Sequence, residues 1–246
     1  MIHDLKQFLK GGKNNFYQFC RINLLELDYE INKNEFALLK SIFQEREYAD
    51  YFPFYKDVTI IDIGAHYGYF SLFAGINSGS KSKIIAIEPS KNNFQNLEKN
   101  IASSGNKNIR AINCAVDTAD GTTQLFSGKS INYSLVKSYS LLNDGQPQTV
   151  TTKKLETIIK ENNIDTIDFL KMDCEGAEYG ILESTPSYIY DKITTISMEF
   201  HDLKDVNCTG EVIIRKLTEM KFRIVKYAYG ATNMNQNYGK IIGTRN

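Results

Sequence analysis

The stretch VTIIDIGAHYGYF, residues Val58 to Phe70, runs apolar through Ile63, breaks across Gly64, Ala65, His66, Tyr67 and Gly68, and turns apolar again. A tight turn asks for no more than this, because glycine reverses a chain at little steric cost. The other reading is that a ligand approaches the backbone closely here. The elements that follow bear on that choice. Downstream the sequence predicts the strand KIIAIE (Lys83 to Glu88), the helix SKNNFQNLEKNIASSG (Ser90 to Gly105) and the strand IRAINCAV (Ile109 to Val116). Ser90 suits an N-cap and Gly105 a C-terminal stop. An irregular segment, Asp117 to Thr152, carries short β-like runs, TTQLF and QTVTT. Then LETIIKENN predicts a helix, TIDFLKMD a strand, GAEYGILES a helix, KITTISMEF a strand, GEVIIRKLTEM a helix, and FRIVKYA and GKIIGTR two closing strands. Such alternation predicts an α/β fold, a Rossmann-like doubly wound, mostly parallel sheet with helices on both faces. Upstream, the amphipathic run NEFALLKSIFQE predicts a helical extension, so the chain divides into an extension, 1–57, and a main domain, 58–246.

Composition narrows the function. The 246 residues are 42% hydrophobic and 24% charged, an ordinary globular mix. Twenty-nine basic residues balance 29 acidic ones, so the electrostatic footprint of a nucleic-acid binder is missing and none is expected as a partner. Cys20, Cys114, Cys174 and Cys208 are widely spaced and form no CxxC pair, which favours reduced thiols over zinc or a disulfide framework. No run approaches the ~18 apolar residues of a membrane span, and the N-terminus lacks a long apolar leader core. A cytoplasmic location without membrane insertion is the default expectation.

In doubly wound sheets ligands bind beyond the C-terminal strand ends, where strand order reverses. Four predicted strand ends carry chemistry: Asp62 running into Gly64 and Gly68; Glu88; Asp173 with Glu175; and Glu199 with His201. Glu88 stands 24 residues beyond Gly64, where a carboxylate accepts both hydroxyls of a ribose. A dinucleotide would require glycine at the position of His66 for its pyrophosphate to approach, so a nucleoside cofactor without phosphates is expected. S-adenosyl-L-methionine fits, its cationic groups suiting the acidic rim.

These residues carry a family resemblance. DIGAHYG and AIEPS resemble the first two motifs of class I S-adenosylmethionine-dependent methyltransferases, and IDFLKMDCEGAE, Ile167 to Glu178, resembles the signature of the FkbM family. Asp168, Leu170, Lys171, Met172, Asp173, Glu175, Gly176 and Glu178 match that signature, and the likeness spans roughly residues 35–245. It implies the class I methyltransferase fold and transfer of a methyl group to a hydroxyl of a small molecule or of a glycan or lipid sugar. It also implies a cofactor site of Asp62, Gly64, Ala65, His66, Gly68, Glu88, Pro89, Ala115 and Asp173, with Ala115 beside the adenine. His66 stands where the family commonly has Asn, and Leu155-Glu156 where Leu-Asp is frequent. A nicotinamide-dependent oxidoreductase and a module that binds the cofactor without turnover stand as alternatives.

For the chemistry itself, a hydroxyl attacks poorly while it keeps its proton, so a positioned base or a metal helps. His201, just beyond ISMEF, is the leading base, with Asp173 orienting it or acting itself and Glu175 beside them. A metal site from Asp173, Glu175, Glu199 and His201 is conceivable, but nothing in their spacing imposes one and none is assigned. Lys171 lies inside a central strand on the face of Asp173, and an unpaired buried lysine costs several kcal/mol. Asp62, Asp173 and Glu199 are its candidate partners, in a structural ion pair or a catalytic role. The capping of the GAEYGILES helix is the plain alternative for Glu175 and Glu178. The extension and the irregular segment are expected to cover the acceptor pocket; of Tyr48, Tyr51, Phe52, Phe54, Tyr133 and Tyr139, some could stack on a sugar or ring, and more are expected in the core.

Overall fold

Strand β1 (Thr59–Ile63) lies inside a seven-stranded sheet because its side chains from Ile60 to Ile63 are all buried, on one face or the other. Ile61 and Ile63 enter one core, Ile60 the opposite one, as the period of two requires. A computed structural model of the chain describes residues 37–127, 133–134, 146–202, 206–231 and 237–245. The sheet continues with β2 (Lys83–Ile87), β3 (Ile109–Ile112), β8 (Ile167–Met172), β9 (Ile193–His201), β10 (Arg223–Ala231) and β11 (Asn237–Thr244). Their order is β10-β11-β9-β8-β1-β2-β3, all parallel except β11, which runs antiparallel to both neighbours. The order reverses between β1 and β8, so the ends of those two strands flank the switch point.

Helices α1 (Tyr69–Asn77) and α2 (Lys91–Ser104) cover one face; α3 (Leu155–Glu161), α4 (Glu178–Ser184), a short α5 (Ser187–Tyr190) and α6 (Gly210–Glu219) cover the other. Helix α2 begins and ends as its sequence predicts: the Ser90 hydroxyl accepts from the Asn93 N–H, and Gly105 closes it at φ 66°. The predicted strand Ile109 to Val116 is instead two. After β3 the chain leaves the main sheet, and β4 (Ala115–Val116) pairs with β7 (Gln148–Lys153) in a second sheet with β5 (Gly121–Ser127) and β6 (Tyr133–Ser134). Strands β5, β6 and most of β7 belong to the segment read as irregular; Tyr139 lies outside the described residues.

Of the predicted extension, residues 37–57 are described. A helical start gives way to a π-helical turn, Lys40–Glu45, and the chain then lays Tyr48 and Phe52 onto the sheet. Phe52 meets Phe70, Phe73 and Phe169 edge-on, at ring separations of 6.3, 5.4 and 5.5 Å. Each such ring removed from water contributes about 1.5–3 kcal/mol. This segment therefore shares a core with the main domain. Tyr51 stays exposed.

Candidate functional site

At the end of β1 the glycines have separate duties, and neither is simply to admit a ligand. Gly64 has φ +75°, and a Cβ there would stand 1.8 Å from the backbone oxygen of Asp173. Its close neighbour is the end of β8. Gly68, at φ +83°, opens α1, and a Cβ there would strike Leu97 of α2. Between them the Gly64 and Ala65 N–H groups donate to Ile87 O at 3.0 and 2.9 Å, while His66 takes φ 53°. Gly64→Ala is expected to cost more than the ~1–3 kcal/mol of a left-handed residue alone, because β1 and β8 must also separate. Urea unfolding measures it; a variant as stable as the parent would refute so close an approach.

Lys171 fixes the same loop from below. Its Nζ donates to Gly64 O at 2.8 Å, pairs with Asp62 Oδ1 at 3.2 Å and reaches Asp173 Oδ2 at 3.9 Å. Burial lowers its pKa, but Asp62 and then Asp173 outweigh burial and leave it raised. Asp62 is fully buried, also accepts from the Ser71 hydroxyl at 2.7 Å, and does not line the cavity; it is the lysine's counter-ion. The expectation that Asp62 touches a cofactor has no support in this placement. Glu199, the third candidate partner, is instead beside Lys240, which also pairs with Glu47.

Over this loop lies a cavity at the switch point. Its walls include Gly64, Ala65, His66, Glu88, Pro89, Ala115, Asp173 and Glu175; Gly68, Glu199 and His201 are not among them. Tyr48 from the extension and Leu125 from the second sheet also line it. Glu88 is 4% exposed, its Oε2 accepting from the His66 N–H at 2.9 Å and its Oε1 from Ser90 N–H and Asn93 Nδ2 at 2.9 and 3.3 Å. Burial pushes its pKa up to about 7, against the opposing pull of those three donors. The Asn93 contact was not anticipated, although a carboxylate two residues before an N-cap necessarily faces the first turn of the helix. Burial and then Lys171 push the His66 pKa down to about 4, so the ring is neutral. His66 Nδ1, His66 Nε2 and Asp173 Oδ1 are buried atoms without a hydrogen-bond partner among the described residues.

His201 sits behind this cavity. It is 4% exposed, with Nε2 3.4 Å from Glu175 Oε2 and 3.6 Å from Glu199 Oε1, and Nδ1 3.7 Å from Glu178 Oε1. Burial lowers its pKa, but Glu178, Glu175 and Asp173 together push it up to about 10. With carboxylates at both ring nitrogens and no place on the cavity wall, His201 is set among acids away from the cavity expected to hold the acceptor, which does not favour the expected role of general base. Glu178 does not merely cap a helix: it is fully buried and accepts from the N–H groups of Cys174 and Gly176 at 2.8 and 2.9 Å. That grip holds Glu175 at φ 54°.

The model of the methyltransferase FkbM domain matches residues 62–224, from the β1 acid to β10. The chain belongs to that family. Two fungal proteins are similar over most of their length: methyltransferase 1 of Beauveria bassiana is 25% identical across 76% of this chain and 84% of its own. Methyltransferase sdnD of Sordaria araneosa is 26% identical across 72% and 80%. Among solved structures, an uncharacterized protein from Listeria monocytogenes superposes with a TM-score of 0.50 at 18% identity, covering 88% of this chain and 69% of that one. The class I fold is thus that of an FkbM-family methyltransferase, and an oxidoreductase reading falls away. Among the described residues no helix is long and apolar enough to cross a membrane.

Proposed function

We propose that this FkbM-family protein uses S-adenosyl-L-methionine to methylate a hydroxyl of a small molecule or of a glycan or lipid sugar. The observation that carries the reading is the switch-point cavity, lined by the buried Glu88 carboxylate and by His66 and Asp173, whose buried polar atoms include some without a hydrogen-bond partner among the described residues. These residues fit the cofactor: Glu88 would hold the ribose, Ala115 and Pro89 the adenine, and His66 with the Gly64–Ala65 backbone the amino-acid end. Bound there, the cofactor would supply a methyl group on a sulfonium, and the acceptor hydroxyl, on forming its new bond to carbon, would give up its proton as the carbon–sulfur bond breaks. The chain aligns and desolvates the reactants, the chief help such a displacement needs. Asp173 would meet the acceptor through Oδ1, which has no partner among the described residues, and Tyr48 lines the same cavity, its hydroxyl 3.5 Å from Asp173 Oδ2. Balanced charge supports a neutral or small acceptor over nucleic acid.

Calorimetry with S-adenosylhomocysteine and with NAD, followed by methyl release on a panel of sugars, glycolipids and phenols, tests the reading. Failure to bind the first ligand would end it. Glu88 adds a pH signature. Ribose hydroxyls donate to its ionised form, so binding lowers a pKa of about 7 and affinity rises with pH through that value. The slope should approach tenfold per pH unit below about 7, and Glu88→Gln should flatten it while weakening binding about tenfold or more. An affinity constant between pH 6 and 8 would remove Glu88 from the ribose.

A further inference from the structure

We propose that Asp173, Glu199 and His201 form a divalent-cation site behind the cavity, which it meets at Asp173, suited to an ion such as Mn2+ that takes both carboxylate oxygen and imidazole nitrogen. One ligand atom from each lies within 4.8 Å of the others. Ligands on opposite sides of a hard divalent cation stand about 4–5 Å apart, so one ion can reach all three. The fold builds this set: Glu199 and His201 are two residues apart on β9 and share a face, and Asp173 ends the adjacent parallel strand.

Two further features favour a cation over a plain acidic cluster. Glu178 stands behind the imidazole at Nδ1 and is itself fixed by two backbone N–H groups, which leaves Nε2 facing Glu175 at 3.4 Å and Glu199 at 3.6 Å. A carboxylate on the far ring nitrogen is the support that orients a metal-binding histidine and raises its basicity. Asp173 Oδ1, meanwhile, is a buried acceptor with no partner among the described residues. Lys171 reaches Asp173 at 3.9 Å and Lys240 reaches Glu199 at 3.4 Å, but each is shared with a second acid, Asp62 and Glu47. Ligation displaces any proton from Nε2, so the ion would stand in for the imidazolium.

The role of this ion rests on the proposed hydroxyl acceptor; its binding does not. Beside Asp173, which lines the cavity, the ion would lower the hydroxyl pKa and let the proton leave to water. Titrating the metal-free full chain with Mn2+, read by calorimetry and electron paramagnetic resonance without cofactor or acceptor, tests the site. One saturable site with nitrogen-14 modulation is expected, weakened at least tenfold by Glu199→Gln and stripped of the modulation in His201→Ala. Glu199→Gln keeps the side chain's shape, which guards against misfolding as the cause. No saturable Mn2+ site in the parent, or a site both variants keep unchanged, overturns the proposal. A protein that binds Mn2+ but methylates no hydroxyl would instead sink the acceptor reading alone.

Discussion

Lys171→Met is expected to lower the free energy of unfolding by about 3–5 kcal/mol, the cost of removing one partner from a buried ion pair. The loss is large because three groups depend on one ammonium. Asp62 is fully buried and keeps only the Ser71 hydroxyl; Gly64 O loses its donor at 2.8 Å; Asp173 loses its nearby positive charge. A charged lysine in a central strand thus ties β8 to β1 and fixes the loop between β1 and α1. Affinity for S-adenosylhomocysteine should therefore fall along with stability. Asp62→Asn in the same background should recover part of the loss, since the uncompensated charge is then gone. Urea unfolding of the two single variants and the double variant gives the coupling. A loss below about 1 kcal/mol in Lys171→Met would mean the pair is solvated, as exposed pairs are, and the description of this face wrong.

Much of the architecture was legible because it rests on local signals. The Ser90 cap, the Gly105 stop and the apolar runs of β1, β2 and β8 each need only neighbours in sequence. Strand order joins elements far apart in sequence: β8 pairs with β1, and β9 with β8. What escaped was long-range. Gly64 looks like a ligand cradle in one dimension; in three it makes room for the Asp173 carbonyl, 109 positions away. His201 looks like a base when it is the only histidine at its strand end. Its character changes because Glu175 and Glu178, from a different strand–helix connection, converge on it. No sequence rule foretells left-handed backbone at His66 and Glu175, two side chains with a Cβ. Both strained positions lie on the cavity wall, where the surrounding bonds hold them against their own preference.

Asp173→Asn should reduce single-turnover methyl transfer by roughly 10²–10⁴ while changing stability and S-adenosylhomocysteine affinity far less. The amide keeps the shape and can still accept from Tyr48, but it brings no charge to the acceptor side of the cavity. Lys171 retains Asp62 at 3.2 Å, so the ion pair that supports the fold survives. A carboxylate that acts only when the hydroxyl loses its proton is felt in the transition state and not in the bound cofactor. Position alone sets the competing account, in which alignment in a dry cavity suffices and Asp173 merely anchors Tyr48. Tyr48→Phe separates the two. If Asp173 only anchors, removing the hydroxyl should reproduce the whole defect of Asp173→Asn; if Asp173 faces the reaction, Tyr48→Phe should keep most of the rate. An Asp173→Asn variant that turns over within tenfold of the parent would take Asp173 out of the chemistry.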